Sequence, residues 1–115
     1  MRVSAKIITA LMLVLVMCSC AFADNPGVVM LSTKTCSVCR QMMRVLKNID
    51  ENYGGKIDVG MIYLEDKPDI AREFNVMYVP VLLFMDGDGE VIAQEVGYRS
   101  AEDIIATFRH NGVKL

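Results

Sequence analysis

The residues with the most chemistry to offer are Cys36 and Cys39, separated only by Ser37 and Val38. A disulfide across so short a loop constrains an unfolded chain little, because the entropy removed by a cross-link grows with loop length. The pair therefore makes more sense as chemistry than as a clamp. Two thiols at this spacing can exchange disulfides: a thiolate attacks a substrate disulfide, and the second thiol resolves the mixed disulfide. A free cysteine, with a pKa of about 8.5, is mostly protonated at neutral pH, so the attacking sulfur needs help. The unpaired N–H groups and the dipole of a helix N-terminus supply it. Cys36 is expected at such a terminus and Cys39 one turn further in, turned toward the core. That order makes Cys36 the nucleophile and Cys39 the resolving thiol. The two sulfurs carry the electrons, so no cofactor is expected. Two other readings of the residues stay open. One is a soft-metal protein binding or delivering copper through the thiolates and nearby methionine; zinc fits less well, with no histidine beside the pair. The other is a binding module without turnover.

The elements that must position the pair follow from periodicity. Val28 to Ser32 is a short apolar run and reads as a buried strand. Cys39, Met42, Met43, Leu46, Ile49 and Tyr53 fall on one helical stripe, with Gly54-Gly55 ending the helix. Ile57 to Leu64 reads as a second strand, and Pro68 opens a short helix running to Phe74. Val81 to Met85 is a third, fully apolar strand, and Glu90 to Val96 returns after the turn Asp86-Gly87-Asp88-Gly89. This acidic turn is too short for a helix–loop–helix calcium site. Ser100 caps a last helix carrying Ile104, Ile105 and Phe108. The order β-α-β-α-β-β-α needs a parallel crossover followed by an antiparallel pair, hence an α/β fold with a mixed sheet flanked by helices.

The N-terminus reads differently. Arg2 and Lys6 precede an apolar run from Ile7 to Met17, and Ala21-Phe22-Ala23 offers small residues for cleavage. This is the layout of a signal peptide over residues 1–23, leaving a domain over 24–115. The 17 uncharged residues from 7 to 23 are slightly short for a membrane-spanning helix, so an anchor is the less favoured arrangement. Met17-Cys18-Ser19-Cys20 resembles a lipoprotein cleavage site with Cys20 as the lipid-bearing residue, except for Met where Leu is usual. The chain is thus expected to be exported to a periplasmic or other extracytoplasmic space, where disulfides persist. Cleavage leaves 92 residues with 10 basic and 14 acidic side chains, a net charge of −4. That balance disfavours a nucleic-acid surface and suits a soluble monomer. Lys34 and Arg40 flank the dithiol and read as solvated charges. His110, the one histidine of the chain, reads as a surface residue.

From Val28 onward the chain resembles thioredoxins. The landmarks are Cys36-Ser37-Val38-Cys39, Pro68, Val79-Pro80 at the thioredoxin distance from Cys36, the hairpin Asp86–Glu90, and Gly97 after the last strand. The resemblance implies a thioredoxin fold, a cis Val79–Pro80 bond facing the dithiol, and a substrate groove shaped by Val79 and Pro80 with Gly97 near it. It implies a thiol–disulfide oxidoreductase, more a reductant than an oxidant. Its partners would be thiol- or disulfide-containing proteins together with a membrane or soluble redox partner. The departures are specific. Once the leader is removed no room is expected for the extra first strand and helix of thioredoxins, Thr35 replaces Trp before the first cysteine, and Ser37-Val38 replaces Gly-Pro. Met30 and Met61 stand where thioredoxins place the buried Asp and Lys that assist proton transfer from the resolving thiol.

Overall fold

The computed structural model describes residues 25–115. The leader read over 1–23, with Cys18 and Cys20, lies outside them, as does Asp24. Seven elements follow in order: β1 (Gly27–Ser32), α1 (Ser37–Tyr53), β2 (Asp58–Tyr63), α2 (Pro68–Glu73), β3 (Val81–Met85), β4 (Val91–Val96) and α3 (Ala101–His110). They build one four-stranded sheet in the order β2-β1-β3-β4. β1 runs parallel to β2 and antiparallel to β3, and β3 is antiparallel to β4. The mixed sheet expected from the element order is present.

Alternation along the central strands divides the core into two layers. Val28 and Met30 of β1 and Leu82 and Phe84 of β3 meet Cys39, Met42, Leu46 and Ile49 of α1 and Ile104, Ile105 and Phe108 of α3. On the opposite face Leu31, Val81 and Leu83 pack with Ile70, Phe74 and Val76 in and after α2. The apolar runs of β1 and β3 thus reflect central strands covered on both faces. Helix α1 departs from the expected stripe at one position: Met43 is exposed while Met42 is fully buried. Adjacent helical residues stand about 100° apart, so only one of the two can point into the sheet.

Local chemistry ends the elements. Ser100 Oγ accepts the Asp103 N–H at 3.1 Å and caps α3. In the β3–β4 turn the Asp86 carboxylate accepts the N–H groups of Asp88 and Glu90, and Gly89 takes a positive φ of 82°. The acidic turn is a self-bonded hairpin.

Candidate active site

The sheet register gathers the functional segments at one end. Leu31 pairs with Val81, so the loop leaving β1 starts beside Pro80. Val81 pairs with Val96, which places Gly97 next to Pro80, and the Gly97 N–H donates to the Pro80 carbonyl at 2.8 Å. Gly97 has φ of 93°, a conformation open to glycine at little cost, so this return of the chain depends on the residue type. The Val79–Pro80 peptide bond is cis. Pro80 is buried and Val79 is half-buried.

Cys36 lies at the end of the β1 loop as the N-cap of α1, with extended backbone (φ −83°, ψ 111°). Its N–H donates to the Thr33 carbonyl at 3.3 Å, and its Sγ accepts the Cys39 N–H at 3.1 Å. The sulfur thus occupies the place where a Ser or Asp oxygen commonly satisfies a helix N-terminus. The two cysteines are joined by a disulfide with Cα atoms 5.2 Å apart. Their surroundings differ. Cys36 is half-buried at the surface, whereas Cys39 is 2% exposed and belongs to the main core cluster. Among the described residues no carboxylate is buried, and the one buried polar side chain is Ser32. Met30, at the Asp position of the resemblance, is fully buried and lies in register with half-buried Met61. The sulfur one turn inside the helix therefore sits in the main core, with no buried carboxylate to take its proton.

Tertiary contacts anchor the rim. Lys34 is tethered to the segment after β2: its N–H donates to Glu65 at 2.8 Å, and its ammonium pairs with Asp66 at 3.2 Å near the Tyr63 ring. Arg40 is exposed. The Arg99 N–H points at Met42 Sδ (3.4 Å), tying the loop after β4 to α1, and the Arg99 side chain pairs with Glu95. Sequence reasoning did not single out this tie, because nothing local links residues so distant along the chain. Beside Val79 a shallow cavity of about 460 Å³ is lined by Thr33, Leu64, Val76, Met77 and Tyr78. Met77 and Tyr78 are 83% and 74% exposed, an apolar rim next to the dithiol end of the sheet. His110 is exposed in the last turn of α3, far along the chain from these segments. Among the described residues no three His, Cys, Asp or Glu side chains are grouped to hold a metal ion.

A family profile described as a thioredoxin-like domain matches residues 23–112. The chain belongs to the thioredoxin-like domain family. A thioredoxin of Alicyclobacillus acidocaldarius is 29% identical over 83 residues, which cover 72% of this chain and 78% of the relative. Thioredoxin C-2 of Corynebacterium nephridii is 30% identical over 89 residues, covering 77% and 82%. Among solved structures, an uncharacterized thioredoxin-like protein from Clostridium perfringens superposes with a TM-score of 0.70 at 26% identity, covering 82% of this chain and 76% of that one. Family membership and the joined Cys36–Cys39 pair make this thioredoxin-like protein a thiol–disulfide oxidoreductase. Proteins of the family act on thiol- or disulfide-containing protein substrates.

Proposed function

We propose that this thioredoxin-like protein is an exported monomer that reduces protein disulfides, with Cys36 attacking and Cys39 resolving. The observation that carries the assignment of roles is the difference in access between the two sulfurs. Cys36 is half-buried at the surface and Cys39 is sealed in the core. In the dithiol form, the Cys36 thiolate is stabilised by the helix N-terminus and by the Cys39 N–H. It attacks one sulfur of the substrate disulfide, forming a Cys36–substrate bond and expelling one substrate thiolate. Cys39 then gives up its proton and attacks Cys36 Sγ. The mixed disulfide breaks, the second substrate thiolate leaves, and two electrons have passed from the dithiol to the substrate. No carboxylate is buried among the described residues, so its proton goes to water or to the departing substrate thiolate. Val79, Pro80 and Gly97 shape the groove in which an extended substrate lies, and the backbone of Val79 pairs with it as an added strand.

The reductant assignment is supported by relatives named thioredoxin. Equilibration of Cys36 and Cys39 against a glutathione buffer tests it. The expected potential lies toward the reducing end of the range of about −270 to −120 mV spanned by such dithiols. A value near the oxidising end would make the protein an oxidant instead. Export is supported by the charged start, apolar run and Ala21-Phe22-Ala23 site of residues 1–23. Intact-mass measurement of the protein recovered outside the cytoplasm is expected to give a chain beginning at Asp24. A lipid-modified Cys20 would replace the soluble form with a lipoprotein, and an unprocessed cytoplasmic chain would overturn export.

A further inference from the structure

Helix α1 carries an arrangement of charge that its own stability does not favour. From Lys34 to Asn48 the charged residues are Lys34, Arg40, Arg44 and Lys47, all basic, in a chain with more acidic than basic residues. The first turn of α1 holds no acidic residue, and its first acidic side chain is Asp50. Cations in the N-terminal half oppose the helix dipole. Arg40 and Arg44 at i,i+4 and Arg44 and Lys47 at i,i+3 also repel one another. Asp50 and Glu51, three and four residues after Lys47, offset this at that end of the stripe alone. All three side chains are exposed, and the ion pairs among the described residues are Lys34–Asp66, Arg72–Asp69 and Arg99–Glu95.

The three cations are aligned with the reactive end of the helix. At 3.6 residues per turn, Cys36, Arg40, Met43, Arg44 and Lys47 fall within an arc of about 100°, beside the buried face of Cys39, Met42, Leu46 and Ile49. The stripe extends about 16 Å from Cys36 to Lys47 at 1.5 Å per residue, matching about five residues of extended chain. Met43, 41% exposed, offers an apolar contact between the charges.

We propose that Arg40, Met43, Arg44 and Lys47 form a docking stripe for an acidic segment of the protein that exchanges electrons with Cys36. The proposal rests on the exchange reading above and names the chemistry of its partner. Charge complementarity beside the sulfur raises the encounter rate and orients the partner's disulfide or dithiol toward Cys36. A protein segment fits better than a lipid surface, because the stripe has a single apolar anchor and the rest of the chain is net acidic.

The test uses three disulfide-closed peptides identical except for flanks that are rich in Asp and Glu, uncharged, or rich in Lys. Stopped-flow rates are read with the reduced protein. At low ionic strength the acidic peptide is expected to react about tenfold faster than the uncharged one. The advantage disappears at about 0.5 M salt, where screening shortens the reach of each charge. In the variant Arg40→Glu, Arg44→Glu, Lys47→Glu the order of the acidic and Lys-rich peptides reverses. Should that variant not fold, Arg44→Gln alone is expected to lower the acidic-to-uncharged ratio about threefold. Equal rates for the acidic and Lys-rich peptides, or a preference that survives the substitutions, would overturn the proposal. If none of the peptides reacts, it is the exchange reading that fails. The stripe is then decided by fluorescence anisotropy of a cysteine-free acidic peptide with the oxidised protein, where binding supports it and no binding overturns it. Tighter binding to phosphatidylglycerol vesicles than to that peptide would assign the stripe to a membrane surface and overturn the protein partner.

Discussion

Cys36→Ser is expected to abolish disulfide exchange, lowering the rate of insulin reduction by at least about a thousandfold, as removal of a nucleophile does in other covalent mechanisms. Cys39→Ser is expected to behave differently: attack still occurs, and the protein accumulates as a mixed disulfide with its substrate through Cys36. The contrast follows from burial, since a substrate can reach half-buried Cys36 whereas Cys39 is closed off among Val28, Met30, Met42 and their neighbours. Folding is a weak confounder at Cys36. A serine hydroxyl can accept the Cys39 N–H as Cys36 Sγ does, keeping the helix capped. Mass spectrometry of alkylation-quenched reactions reads the adducts directly, and equal trapping by the two variants would contradict the assigned roles.

Phe84→Ala is expected to cost about 3–5 kcal/mol, a large share of the roughly 5–15 kcal/mol that holds a domain folded. Phe84 of β3 and Phe108 of α3 are both fully buried, and their rings meet edge to face with centroids 5.1 Å apart at 76°. Truncating either ring leaves a cavity in the layer that presses α1 and α3 onto the sheet, which is also the layer that holds Cys39. The shift in urea midpoint measures the loss. The double variant with Phe108→Ala is expected to lose less than the two single losses combined, because both rings border one space. A loss below about 1 kcal/mol for Phe84→Ala, within the range of ordinary surface substitutions, would show that the ring does not fill the core in this way.

The parts of the protein that were legible in the sequence are those set by short-range rules. Val28–Ser32 and Val81–Met85 announce strands by their apolar runs, and the structure has strands at Gly27–Ser32 and Val81–Met85. Ser100 with Asp103 and the Asp86–Glu90 turn carry their capping and turn chemistry within a few residues. The spacing of Cys36 and Cys39 before an amphipathic helix is likewise local. Met43 was less legible, because a stripe drawn through neighbouring apolar residues does not say how wide the covering layer is. Lys34 was also ambiguous, since its partners Glu65 and Asp66 follow a crossover and a second strand.

The amino-acid order by itself determined the dithiol, the helix it begins and the succession of strands and helices, because each depends on contacts within one or two turns of chain. Only the tertiary structure decided the strand order β2-β1-β3-β4, and with it the placing of Pro80 beside the loop that leads to Cys36 and of Arg99 against Met42. Those encounters join positions dozens of residues apart. They are selected by which apolar faces of the whole sheet and its helices can be buried together, a choice that no single segment makes.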